Sequence, residues 1–197
     1  MGWTSYYPTH FTKRGTIDRK AECDAYFMEG LNRGNFLVLK SAMKGSTYYA
    51  AVKSMVRYAG KDENGKSIYE PISDGQVCGY VFLTAVERGE FFYKDLSEFS
   101  AGLAQYDCPK SIINLLSETD DEWALEWRRR CLERAAKPKL SSLPIGTVIE
   151  WTICDKTYRA VKSAPAYQFK RPFWLAPDGN SYISKKRIAD NWKVVGA

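Results

Sequence analysis

An α+β fold follows from two patterns in this 197-residue chain. The first two thirds mix strand-like apolar runs with helical periodicities, whereas the last 54 residues, from Pro144 to Ala197, hold only short strand patterns. We expect an antiparallel sheet with packed helices over residues 1–140. A small C-terminal SH3-like or OB-like β-barrel is expected over 144–197, after a linker around Lys137-Pro138-Lys139 and Ser141-Ser142. Apolar residues make up 45% of the chain and charged ones 26%, enough to build a core.

Taken in order, Thr16 reads as the cap of a helix whose apolar positions Ile17, Ala21, Ala25, Met28 and Leu31 recur at three and four residues. Phe36–Leu39 and Thr47–Val52, joined by Lys44-Gly45-Ser46, predict a hairpin. Asn64-Gly65 marks an exposed turn between two further strands. Val77–Val86 is nearly all apolar and suits a central strand, turning at Arg88-Gly89-Glu90 into Phe91–Tyr93. The first helix should pack on one face of this sheet. Pro109 opens a short helix through Ile112, Ile113, Leu115 and Leu116. Thr119 with Glu122 reads as the capping box of a longer helix running to about Lys137, with Trp123, Trp127, Cys131 and Ala135 on its buried face. Five strands follow: Thr147–Ile153, Thr157–Val161, Pro172–Leu175, Tyr182–Ser184 and Trp192–Val195.

Charge is uneven between the two parts. Pro144–Ala197 carries nine Lys/Arg against four acids, and so +5 of the formal +6. Trp151, Tyr158, Tyr167, Phe169, Phe173, Trp174, Tyr182 and Trp192 accompany it, a composition able to stack bases and track phosphates. The strongest basic cluster is Lys185-Lys186-Arg187, with Lys170-Arg171 preceding Phe173-Trp174. The competing reading is that the aromatics fill the barrel while the cations cover its outside. Arg128, Arg129 and Arg130 stand about 100° apart around a helix, so they cannot share one ligand. Arg130 fits an ion pair with Glu126 worth about 0.3 kcal/mol, which leaves Arg128 or Arg129 for phosphate contact. The candidate nucleic-acid-binding set is therefore Lys170, Arg171, Trp174, Lys185, Lys186, Arg187, Arg128 and Arg129.

Other chemistries lack their patterns. No G-x-G-x-x-G, Walker loop, H-E-x-x-H or G-x-S-x-G occurs, and His10 is the sole histidine, with no cysteine beside it. Asp120, Asp121 and Glu122 sit at a helix start, where acids complement the helix dipole, and are not read as metal ligands. The five cysteines, widely spaced and without a C-x-x-C, fit reduced thiols in a cytoplasmic protein. No signal peptide, membrane span, myristoylation pattern, metal or cofactor is expected.

Met1-Gly2-Trp3-Thr4, Gly15-Thr16-Ile17-Asp18-Arg19-Lys20-Ala21-Glu22, Gly45-Ser46-Thr47-Tyr48-Tyr49-Ala50-Ala51-Val52 and Pro144-Ile145-Gly146-Thr147 resemble an uncharacterised family of small proteins encoded by phages and integrative elements of bacteria. The resemblance implies an accessory protein of a mobile element, acting on nucleic acid or on host defence complexes such as CRISPR nucleases. It brings no catalytic residues. Ile188–Val195 is similar to the last strand of small phage β proteins that sequester nucleotide signals, and no binding site is carried over from it.

The resulting expectation is a non-enzymatic protein that binds nucleic acid or a host nucleic-acid-binding defence complex through its basic barrel, in an anti-CRISPR-like role. A DNA mimic would be acidic and is excluded. Two alternatives stay open, a protein–protein module using exposed aromatics and a nucleotide-sequestering anti-defence protein.

Overall fold

The computed structural model describes residues 2–28, 34–100, 105–167, 169–189 and 191–196. The chain divides into two compact units, Met1–Ala136 and Lys137–Ala197, and each is built on an antiparallel sheet.

The first unit runs β1 (Thr4–Tyr6), α1 (Arg19–Met28), β2 (Phe36–Lys44), β3 (Thr47–Ser54), β4 (Val56–Lys61), β5 (Ser67–Pro71), β6 (Val77–Glu87), β7 (Glu90–Ser97), α2 (Lys110–Ile113) and α3 (Glu122–Ala136). Its main sheet has the order β1-β7-β6-β3-β2, and β4 and β5 form a separate two-stranded ribbon. β6 is central, as its apolar run predicts. Residues 48–52 are buried without a break because both faces of the sheet are covered. Tyr48, Ala50 and Val52 pack with Cys23 and Phe27 of α1. Tyr49 and Ala51 point the other way, against Ile112, Ile113, Trp127 and Cys131 of α2 and α3. Sequence periodicity gives the helix on one face; the second helical layer was not foreseen.

The helix starts differ from expectation by a residue or two. Asp18 caps α1, its Oδ1 accepting the Ala21 N–H at 3.1 Å, while the Thr16 hydroxyl pairs with that of Thr12 at 2.7 Å. Leu31, expected on the buried face of α1, lies outside the described residues. At α3 the cap is Asp121, whose Oδ1 accepts the Ala124 N–H at 2.9 Å, so Thr119 and Glu122 do not form a capping box. The shift turns the buried face to Ala124, Trp127 and Cys131 and leaves Trp123 64% exposed. Burial raises the thiols of Cys23, Cys108 and Cys131, the last to about 12, so these cysteines stay protonated at neutral pH.

The second unit runs β8 (Val148–Ile153), β9 (Lys156–Ser163), β10 (Phe173–Leu175), β11 (Tyr182–Ile183), one turn of 3-10 helix (Lys185–Arg187) and β12 (Lys193–Gly196). β8 and β9 meet at a two-residue turn, where Cys154 and Asp155 take positive φ of 46° and 61°, the geometry that follows strand twist. The sheet order is β11-β10-β9-β8-β12, and among the described residues no ladder joins β11 to β12. Leu143, Ile149, Trp151, Ala160, Trp174, Ile188 and Trp192 form its core.

Candidate nucleic-acid interface

Strand register decides which aromatics of the second unit are available. Directly opposed residues share a face, so the pairs Ile149↔Ala160, Trp151↔Tyr158, Lys162↔Trp174 and Trp174↔Ile183 define the inner, core-facing side. Phe173 and Leu175 alternate with Trp174 and face outward, and Tyr182, opposite Leu175, joins them.

On that outer side three rings gather. Phe169 lies 4.4 Å from Phe173 at an interplanar angle of 29°, and 4.9 Å from Tyr182 at 19°. Lys170, Arg171, Lys185 and Lys186 surround them, and together these residues line an open cleft of about 550 Å³, within the range of small-molecule sites. The 3-10 turn presents the cations: Ser184 at its start accepts the Lys186 N–H at 3.4 Å, and Lys185, Lys186 and Arg187 are all exposed. Among the described residues none of Lys170, Arg171, Lys185, Lys186 or Arg187 has an acidic partner within 4 Å. Three neighbouring cations of the unit are occupied. Arg159 and Lys193 both pair with Glu150, and the hydrogen bond from Arg159, helped by Lys193, holds that carboxyl below the usual range. Lys162 is buried and donates to the carbonyls of Ser141 and Leu143.

Three residues of the expected set are placed differently. Trp174 is 1% exposed and sits at the centre of the core, so it cannot stack on a base. Deleting its ring is expected to cost the second unit about 3–5 kcal/mol, which urea unfolding of Trp174→Ala would measure. Arg128 is committed to the buried Glu98: its Nε and Nη2 reach the two carboxylate oxygens at 2.6 and 2.9 Å, and Nη1 donates to the Ser117 carbonyl at 2.7 Å. Arg129 is exposed but chelates Glu126 at 2.8 Å and pairs with Glu133. Arg130 is paired as expected, with Glu126 at 2.6 Å and the Tyr106 hydroxyl at 2.9 Å. The α3 arginines are thus neutralised within the first unit.

Phe169, Phe173 and Tyr182 are the outward rings that the candidate set omits. Alternation along Phe173-Trp174-Leu175 shows that only one parity can face out, but which one depends on pairing with β9 and β11.

A family model described as a domain of unknown function, DUF6927, matches residues 118–152, which run from the approach to α3 into β8. No curated protein and no solved structure matches the chain. No helix among the described residues is long and apolar enough to cross a membrane.

Proposed function

We propose that this protein binds nucleic acid through the outer face of its second unit. The observation that carries the reading is the set of four exposed cations, Lys170, Arg171, Lys185 and Lys186, without acidic partners among the described residues and grouped at the Phe169–Phe173–Tyr182 rings, with the exposed Arg187 next in the chain. Arg129, Arg130 and Arg159, by contrast, are paired with carboxylates. Cations left free beside flat apolar rings suit phosphates adjoining stacked bases. The strand order, in which β12 returns to pair with β8 after the 3-10 turn, supports the SH3-like small barrel over the OB-like one.

No hydrolytic or group-transfer step is part of this reading. The chain grips nucleic acid, or the nucleic acid held by a host complex, in a cytoplasmic setting. An anti-CRISPR-like accessory role in a mobile element is carried by the sequence resemblance alone. Photo-crosslinking with a 4-thiouridine oligonucleotide tests the placement. Crosslinked peptides are expected within residues 169–187; crosslinks confined to the first unit would overturn it.

A second reading, a protein–protein module, is favoured by the β4–β5 ribbon. Tyr58 and Tyr69 oppose each other there, 56% and 53% exposed, with ring centroids 6.0 Å apart. An interface centred on such rings would persist at high salt, unlike phosphate contacts.

A further inference from the structure

We propose that the nucleic acid is a single strand, bent over the β11 edge of the second sheet at Lys186 so that bases enter on both faces; this rests on the reading above. The sheet has a second cleft, of about 540 Å³, lined chiefly by Trp151, Ile153, Tyr158, Ile183, Lys186 and Arg187. Register places Trp151, Tyr158 and Ile183 on the inner face, opposite Phe173 and Tyr182. Successive β11 residues therefore serve different clefts, Tyr182 the outer and Ile183 the inner. β11 pairs with β10 alone and is an edge. Lys186, just beyond it, lines both clefts.

The inner cleft suits one unpaired base with its phosphate. Its wall is the stacked Trp151–Tyr158 pair, with centroids 5.8 Å apart and planes at 19°, continuous with the apolar core. Its rim is Lys186 and Arg187, and among the described residues no carboxylate lines it. Trp151 Nε1 is buried and has no hydrogen-bond partner among the described residues. Two ring-walled clefts on opposite faces of one edge cannot be served by a duplex, whose bases are paired inside a rod with a persistence length of about 50 nm. A single strand has free bases and turns within a few nucleotides.

The test is fluorescence anisotropy of the full chain with labelled oligothymidine and oligouridine of about twelve nucleotides, and with a duplex of equal length. Binding to either single strand at least about tenfold tighter than to the duplex supports the proposal. Tyr158→Leu keeps an apolar cover on Trp151 but removes the ring. It is expected to weaken single-strand binding roughly 5- to 100-fold, leaving duplex binding and the thermal midpoint unchanged. Lys186→Ala, at an exposed position, is expected to weaken single-strand binding at least about fivefold. Duplex binding as tight as single-strand binding overturns the proposal. So does a normal affinity in Tyr158→Leu when removal of Lys185, Lys186 and Arg187 abolishes binding, since the outer face would then act alone. Competition by thymidine monophosphate at the oligonucleotide's own concentration also overturns it, because the cleft would be a nucleotide site. If the wild-type chain binds no strand at low salt, the nucleic-acid reading falls with it.

Discussion

Arg128→Ala is expected to destabilise the first unit by about 3–5 kcal/mol while leaving nucleic-acid affinity unchanged. Glu98 is fully buried, and its carboxylate is held by two nitrogens of Arg128 and by the Gly79 N–H at 3.0 Å. Removing the guanidinium strands a charge that water cannot reach, and frees the Ser117 carbonyl as well. Arg128→Met with Glu98→Gln should recover much of the loss, because no uncompensated charge remains. Arg129→Ala is the contrast: its partners Glu126 and Glu133 are solvated, so the change leaves stability little altered. Chemical unfolding of the variants measures these differences. A well-folded Arg128→Ala chain that binds nucleic acid poorly would restore Arg128 to the interface.

Converting Lys185, Lys186 and Arg187 together to alanine is expected to have the opposite profile, with intact stability and lost binding. All three are exposed and lack acidic partners among the described residues, so nothing in the fold depends on their charge. Each phosphate contact removed lowers the salt slope for a single strand by about 0.7, so three should lower it by about 2 and cut affinity at low salt on the order of a hundredfold. Arg159→Ala is the control within the same unit. Its charge is already met by Glu150, and little binding should go with it.

The positions of the five strands of the second unit are read from Pro144 onward with small errors at the ends, because each strand is short, alternating and bounded by turn residues. The hairpin at residues 44–47 and the Asn64-Gly65 turn are equally plain, since turn chemistry is local. Two things were not legible. One was the second helical layer on the first sheet: a continuous apolar run such as residues 48–52 says that both faces are covered, but not by what. The other was which large aromatic faces out. Trp174 and Phe173 differ by one position, and only cross-strand register, a long-range property, assigns Trp174 to the core and Phe173 to the surface. Ion pairing was half legible. Glu126 lies at helical spacing from Arg129 and Arg130, whereas Glu98, 30 residues from Arg128, is brought in only by the sheet.

The central claim is that unpaired cations beside outward-facing rings make the second unit a nucleic-acid surface, and the most direct test is the salt dependence of binding by the wild-type chain. Anisotropy with a labelled single strand between about 50 and 200 mM salt should give a log–log slope of about −2 to −3.5, as expected for three to five phosphate contacts. Binding that is flat with salt, or absent at the lowest salt, would contradict the account and turn attention to the β4–β5 ribbon as a protein-binding surface.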